Sequence, residues 1–320
     1  MNKILIINML GVAEVASIGI PALRYVKQQF PDAEVQVLSF AEGKRLFELA
    51  EPNCTVWGLE NGQWPDDFFP ALEAFLGLAE HIVGEGYKQI IQLDTAFLPC
   101  FLARFLKDAG EPVAGNYLSM SVQELLDGFS RQTLTAEYVN NASEYLLSTF
   151  TGMPRWFTRW WEGMLVPDGG FPEFYLRACC GFEPIDMQQS LQIAADAQLS
   201  QCGKTVVALS TEQPGHVLHY PYGQQLTLLL QQTGVEVWNV DWQRDGVEAT
   251  LAKLKASNLL VAAPTAGQWL ANLVGCTTLV ISGQVDPRSL MPDYATDMSE
   301  SPIEAAELAE DILTLLAQSE

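Results

Sequence analysis

Two runs of alternating strand and helix patterns constrain the fold of this 320-residue chain more than any other feature. The first run begins with the apolar stretch KILIIN at 3–8, and the second begins with KTVVALS at 204–210. Continuous apolar stretches that alternate with helical patterns are typical of buried parallel strands in βαβ units. The sequence therefore predicts an α/β fold with two Rossmann-like domains that face each other across a cleft.

The segment 119–172 interrupts the alternation and reads as mostly helical, with a Trp-rich loop at its end. We expect an N-terminal Rossmann-like domain at 1–172, which includes this segment, and a helical connector at 173–203. A C-terminal Rossmann-like domain is predicted at 204–320. In open α/β sheets, ligands bind at the carboxyl ends of the strands, so we expect the functional residues there.

The amino-acid composition argues against several kinds of binding partner for this chain. Acidic residues outnumber basic residues 39 to 17, which gives a formal charge of −22 and argues against a nucleic-acid partner. The six cysteines form no CxxC pair and lie apart from the three histidines, so we expect no metal site. The first residues lack the features of a signal peptide, and no apolar run reaches the roughly 18 to 20 residues of a membrane span. The sequence predicts a cytoplasmic protein.

Four stretches follow one another along the chain: NMLGVAEVASIGIPALRYVKQQF, YKQIIQLDTAFLPCFLARFL, FYLRACCGFEP and NLLVAAPTAGQWLANLVGCTTLVISGQVDPR. In this order they resemble the lipopolysaccharide heptosyltransferase family, glycosyltransferase family nine. The resemblance implies a type B glycosyltransferase architecture with an acceptor-side N-terminal domain and a nucleotide-sugar C-terminal domain. It also implies inverting, metal-independent transfer without a cofactor, from a nucleotide sugar to a glycolipid or polysaccharide acceptor of the cell envelope.

The catalytic position of the family falls in the loop after the first strand. The family has an Asp there as the general base, and counting back from Pro21 without a gap places Val15 at that position. A shift of one residue places Glu14 there, and a carboxylate on this loop could take a proton from the acceptor. The alternative is that Glu14 only favours the start of a helix. Gly11 and Asp94 are predicted on the acceptor side, with a helix N-cap as the alternative for Asp94.

The predicted donor site departs from the family pattern. In the loop at 263–269, Pro264 stands for the family's Asp and Trp269 for its His, which makes the donor motif degenerate. A turn at a helix N-terminus can still point N–H groups at an anion. In the other loop, His219 or Leu218 stands for the family's basic residue, and His216 lies nearby. Asp241 would contact a ribose or cap a strand end. The predicted donor-binding residues are Ser210, Thr211, His219, Asp241, Thr265, Ala266, Gly267 and Gln268.

PRWFTRWWEG is a basic aromatic island in an acidic chain. Arg155 and Arg159, with their neighbouring Trp residues, are predicted on the acceptor side, where they would stack on a sugar or meet a lipid interface. The alternative is that the Trp residues pack between domains. Because the family works at the membrane surface, the resemblance implies a peripheral contact with the inner membrane.

Two classes of function follow from this pattern. The first is a glycosyltransferase, which the ordered resemblance favours. The second is a non-catalytic binding or regulatory protein on the same scaffold, which the replaced donor residues favour, because fold does not determine function. Another nucleotide-sugar enzyme, such as an epimerase, is a third interpretation.

Overall fold

The computed structural model describes residues 2–9, 11–58, 68–163, 166–211 and 219–318. The chain divides into two compact units. The first comprises Met1–Trp160 and Pro172–Met187, and the second comprises Trp161–Phe171 and Gln188–Glu320. The segment 161–171, which sequence analysis places in the N-terminal domain, therefore packs with the second unit.

The first unit contains a six-stranded sheet with the order β3-β2-β1-β4-β5-β6, in which only the pairing of β5 with β6 is antiparallel. The parallel strands are apolar because helices cover both faces of such sheets. The strands are β1 (Asn2–Ile7), β2 (Ala33–Leu38), β3 (Thr55–Trp57), β4 (Gln89–Gln92), β5 (Val113–Leu118) and β6 (Leu146–Ser148).

One irregular helix follows β1. It begins as α1 (Val12–Glu14), passes through a π-helical turn at Val15–Gly19 and continues as α2 (Ile20–Gln29). The further α-helices up to residue 173 are α3 (Ala41–Ala50), α4 (Phe68–Glu85), α5 (Phe97–Asp108), α6 (Val122–Ser130), α7 (Ala136–Asn140), α8 (Ala142–Tyr145) and α9 (Gly170–Glu173). Two 3₁₀ turns (Met153–Phe157 and Trp160–Glu162) precede α9, and a π-helical segment, Phe174–Cys179, follows it.

The second unit contains a parallel five-stranded sheet with the order β11-β10-β9-β7-β8. Its strands are β7 (Val206–Ser210), β8 (Glu236–Asn239), β9 (Leu259–Ala262), β10 (Thr278–Val280) and β11 (Tyr294–Ala295). Its helices are α10 (Ala197–Ser200), α11 (Gly223–Gln232), α12 (Trp242–Asp245), α13 (Val247–Lys255), α14 (Ala266–Val274), a 3₁₀ turn at Pro287–Ser289 and α15 (Ala305–Gln318).

Each sheet forms the centre of its own apolar core. In the first unit, Leu5 and Ile90 pack with Leu102 of α5, and all three are fully buried. In the second unit, Val261 packs with Leu226 of α11 and Leu308 of α15. The predicted α/β class with two Rossmann-like units is confirmed.

The expectations for the middle of the chain were wrong in three places. The strand β5 was not predicted, the largely helical segment 119–172 contains the strand β6, and most of the connector at 173–203 is not helical. Gly115 obscures the pattern of β5, and it is required there because a Cβ would lie 2.1 Å from the Gln92 carbonyl oxygen. The stretch 180–196 is held by tertiary contacts, such as the hydrogen bond from the Leu191 N–H to the Leu273 carbonyl oxygen.

Candidate functional site

Each sheet has one topological switch point, where the strand order reverses direction. In the first sheet it lies between β1 and β4, and in the second between β7 and β9. Ligands of open α/β sheets bind outside the carboxyl ends of the strands at such points. Most of the predicted site residues fall there: Gly11, Glu14 and Asp94 in the first unit, and Ser210, Thr211, Thr265, Ala266, Gly267 and Gln268 in the second.

Glu14 lies in the first turn of the helix that follows β1, and its side chain is exposed. Its carboxylate is folded over Gly11, because a Cβ added to that glycine would lie only 1.8 Å from Glu14 Oε2. Gly11 has a φ of 89°, a conformation that glycine adopts without steric cost. A negative charge at a helix N-terminus is favourable, and the π-helical turn that follows is a feature often found at functional sites.

Asp94 follows β4 and is buried beside the loop after β1. Its Oδ1 accepts a hydrogen bond from Asn8 Nδ2 (2.6 Å), and its Oδ2 accepts one from the Met9 N–H (2.7 Å). Burial raises the pKa of the Asp94 carboxyl to about 7, although both hydrogen bonds lower it, and the charge of Glu14 raises it further. The N-cap alternative was wrong, because the N-cap residue of α5 is Ala96.

A buried network of polar side chains contacts the backbone carbonyl oxygen of Asp94. Asn116 Nδ2 donates to the Asp94 carbonyl oxygen (3.2 Å) and to the Tyr175 hydroxyl oxygen (2.8 Å), and the Tyr175 hydroxyl donates to the Leu93 carbonyl oxygen. The Cys100 thiol also donates to the Asp94 carbonyl oxygen (3.5 Å). Sequence reasoning missed Asn8 and Asn116. The available signal for Asn8 was a polar residue directly at the end of an apolar run.

In the second unit, two hydroxyl groups meet at the switch point. Ser210 Oγ, at the end of β7, and Thr265 Oγ1, before α14, are hydrogen-bonded to each other at 3.3 Å, and both residues are buried. Gly267 allows this approach, since a Cβ there would lie 2.5 Å from Ser210 Oγ. The site thus combines two hydroxyls with the first turn of a nine-residue helix, whose N–H groups can receive an anion.

The other predicted donor-side residues have separate surroundings. Gln268 is fully buried, and its Nε2 donates to the Leu290 carbonyl oxygen (2.8 Å), which ties the loop after β10 to α14. Thr211 is buried, His219 is exposed, and His216 lies outside the described residues. Asp241 accepts a hydrogen bond from the Arg244 N–H as the N-cap of α12, so it caps a helix rather than a strand end, and its contact with a ribose stays a prediction.

The second unit has five basic side chains besides histidine, and each is bonded within that unit. Lys204 pairs with Glu236, Arg288 pairs with Asp286, and Lys255 donates to the Val274 carbonyl oxygen. Arg244 and Lys253 both pair with Asp245, at 2.7 Å each. The hydroxyls and N–H groups of the switch point are therefore not accompanied by an uncommitted Lys or Arg of this unit.

The basic aromatic island belongs to the first unit as far as Trp160. Arg155 and Arg159 are exposed, and Thr158 Oγ1 donates to the Arg155 carbonyl oxygen (2.6 Å). Trp160 stacks on Phe174 with a centroid separation of 4.7 Å. The two arginines lie away in sequence from either switch point, so their acceptor-side role stays a prediction.

No group of three or more His, Cys, Asp or Glu side chains in the described ranges is arranged to hold a metal ion. Among the helices that the structure describes, none is both long and apolar enough to cross a membrane.

Comparison with known proteins shows the fold. No protein-family model matches the sequence, and the comparison with curated protein sequences gives no match. The structure is similar over 99% of its length to a family nine glycosyltransferase from Veillonella parvula (98% of that chain, TM-score 0.64, 11% identity). It is also similar over 99% of its length to the ADP-heptose lipopolysaccharide heptosyltransferase II of E. coli (99% of that chain, TM-score 0.59, 12% identity).

A third similar structure is a putative UDP-N-acetylglucosamine 2-epimerase from Listeria monocytogenes. The similarity covers 98% of this chain and 88% of that one, with a TM-score of 0.54 and 14% identity. At these identities the comparisons establish a shared fold. The resemblance to family nine glycosyltransferases seen in the sequence is thus confirmed in the three-dimensional structure, with low sequence identity.

Proposed function

We propose that the chain is a glycosyltransferase that moves a sugar from a nucleotide-sugar donor to a lipopolysaccharide-like acceptor of the cell envelope. The second unit would bind the donor and the first unit the acceptor. The shared fold supports this proposal, since the similar structures include enzymes named for ADP-heptose. The proposed place of action is the cytoplasm, with a peripheral contact at the inner membrane through the segment that carries Arg155 and Arg159.

The observation that carries the proposal is the position of Glu14. An exposed carboxylate stands at the switch point of the first sheet, where substrates of this fold class bind. As general base, Glu14 would take the proton of an acceptor hydroxyl, and the acceptor oxygen would attack the anomeric carbon. The bond from that carbon to the phosphate oxygen breaks, the nucleotide leaves with the electron pair, and the configuration inverts.

For the donor, we propose recognition by main-chain N–H groups and hydroxyls. The first turn of α14, with Ala266, Gly267 and Gln268, would receive a phosphate, and Thr265 and Ser210 would contribute hydroxyl hydrogen bonds. Thr211, His219 and Asp241 complete the proposed donor side. This arrangement replaces the basic side chain of the family, and the donor sugar need not be heptose.

A specific observation favours the second candidate, a non-catalytic binding protein. All Lys and Arg side chains of the second unit are bonded within it, so they do not offer a charge for the leaving diphosphate. Stabilisation of that developing charge is a main source of catalysis in group transfer. A protein of this kind would bind a nucleotide sugar without breaking it.

Release of the nucleoside diphosphate separates the two candidates. A panel of nucleotide sugars is incubated with the protein, with and without lipopolysaccharide core fragments, and the freed nucleotide is measured. We expect acceptor-dependent release with one donor, and a loss of about a hundredfold or more in Glu14→Gln because the base is removed. Glu248→Gln, which removes an exposed acid from the first turn of α13, is the matched control. Equal rates in Glu14→Gln and wild type would contradict the role of Glu14.

A further inference from the structure

The contact between Asn8 and Asp94 joins the two strands that flank the first switch point. Asn8 follows β1 and Asp94 follows β4, and these strands are neighbours in the sheet. Asn8 and Asp94 are 1% and 6% exposed, so their contact is made inside the protein. The Met9 N–H donates to the second oxygen of the same carboxylate. One buried side chain thus holds two consecutive residues of the loop that leads to Gly11 and Glu14.

We propose that Asp94 is a positioning residue, whose carboxylate holds the loop that presents Glu14 through the bonds from Asn8 and the Met9 amide. This inference rests on the proposed function only for the role of Glu14. The hydrogen bonds that hold the loop lie within the first unit alone. Asp94 is buried, and each of its carboxylate oxygens accepts a hydrogen bond from the loop after β1. Its role differs from that of Glu14, which is exposed.

The strength of the two hydrogen bonds to Asp94 depends on whether its carboxyl is protonated. Both carboxylate oxygens accept hydrogen bonds, as only the ionised form does well. The titratable groups around it are Glu14 from the helix after β1, Cys100 from α5 and Tyr175 from the π-helical segment. Within the described part of the chain, Asp94 makes no ion pair, so no cation keeps it ionised.

The Asn8 side chain can form a hydrogen bond with both the ionised and the protonated carboxyl of Asp94. Its Oδ1 is buried and has no hydrogen-bond partner among the described protein groups, and it lies against Gly19, where a Cβ would be 2.3 Å away. When Asp94 takes up a proton, its new hydroxyl needs an acceptor. Rotation of the Asn8 amide by half a turn brings Oδ1 to that hydroxyl and turns Nδ2 toward Gly19. The charge-assisted bond to the carboxylate is then lost, and the loop is held less firmly.

Exchanging the amide and the carboxylate between positions 8 and 94 tests the proposal. In Asp94→Asn, the amide oxygen can still accept from the Met9 N–H, and the amide nitrogen can donate to Asn8 Oδ1 after the Asn8 amide rotates, but both bonds lose the negative charge that strengthens them. In Asn8→Asp, two carboxyl groups oppose each other. In the double variant Asn8→Asp/Asp94→Asn, the new amide at position 94 would accept from the Met9 N–H and donate to the new carboxylate at position 8. The double variant therefore restores both hydrogen bonds, with the negative charge at position 8 after β1 instead of at position 94 after β4.

Hydrogen exchange of the Met9 amide is the readout, relative to the rate of an unstructured chain at the same pH. We expect each single variant to exchange about tenfold faster or more, and the double variant to return close to the wild-type rate. A double variant that exchanges as fast as Asp94→Asn, or an Asp94→Asn variant that exchanges like wild type, would overturn the proposal. If Asp94→Asn does not fold, the other two variants decide: an Asn8→Asp protein with wild-type Met9 protection, or a double variant that exchanges as fast as Asn8→Asp, would overturn the proposal.

Transfer measurements distinguish positioning from substrate contact. Positioning predicts that the double variant recovers kcat together with Met9 protection, while the KM for the acceptor stays unchanged. A restored loop with low transfer would show that Asp94 itself touches the substrate, which contradicts the proposal. If wild type transfers no sugar, the proposed function fails, and the exchange measurements alone still decide whether Asp94 holds the loop.

Discussion

At the residue scale, Asp94 predicts an unusual pH dependence of stability. Its pKa is raised from an ordinary 3.8 to about 7, mainly by burial, so the folded state holds a proton that the unfolded chain has released. Its contribution therefore destabilises the fold progressively as the pH rises from about 4 to about 7. We expect the difference in free energy of unfolding between wild type and Asp94→Asn to shrink or reverse in sign over this window, measured by urea denaturation at several pH values.

Asp245 serves as a control because its pKa is shifted in the opposite direction from that of Asp94. Arg244 and Lys253 lower its pKa to about 2, so the stability it contributes is present above about pH 4 and is lost as the pH falls toward 2. The difference between wild type and Asp245→Asn should therefore be constant between pH 4 and pH 7. A flat difference for Asp94→Asn in that window would contradict the raised pKa of the buried Asp94 carboxyl.

At the element scale, glycines set how closely helices approach the carboxyl ends of the strands. A Cβ at Gly19 would lie 2.3 Å from Asn8 Oδ1 and 2.6 Å from Phe47 Cζ of α3. We expect Gly19→Ala to reduce the free energy of unfolding by about 1–3 kcal/mol through overpacking. Gly77 in α4 is exposed and nothing lies within 4 Å of its Cβ position, so Gly77→Ala should stabilise by about 0.5–1 kcal/mol. Chemical denaturation measures both, and equal effects would contradict this account of the helix contact.

The elements also show what the sequence could predict. Strands with continuous apolar runs, such as β1 and β7, were identified because local pattern and burial agree. The antiparallel strand β6 was missed because its pairing with β5 is a long-range contact that has no local signature. The carboxylate at 94 was recognised, but its partners Asn8 and Met9 are 85 or 86 residues away, and only the fold brings them together.

At the scale of the whole molecule, the charge distribution limits how a nucleotide can bind. The chain carries a formal charge of −22, and the Lys and Arg side chains of the second unit are bonded within it. We therefore propose that this unit would bind a polyanionic ligand through local dipoles, namely the N-terminus of α14 and the hydroxyls of Ser210 and Thr265.

The most direct test of the proposed function is thermal unfolding with a panel of nucleoside diphosphates and nucleotide sugars. A ligand that binds only the folded protein adds about 2.7 kcal/mol of stability at about a hundred times its Kd, so Tm must rise. We expect a rise with one nucleotide sugar but not with pyrophosphate or the free sugar, and a smaller rise in Thr265→Val. A well-folded sample whose Tm is unchanged by every nucleotide would contradict a nucleotide-sugar transferase.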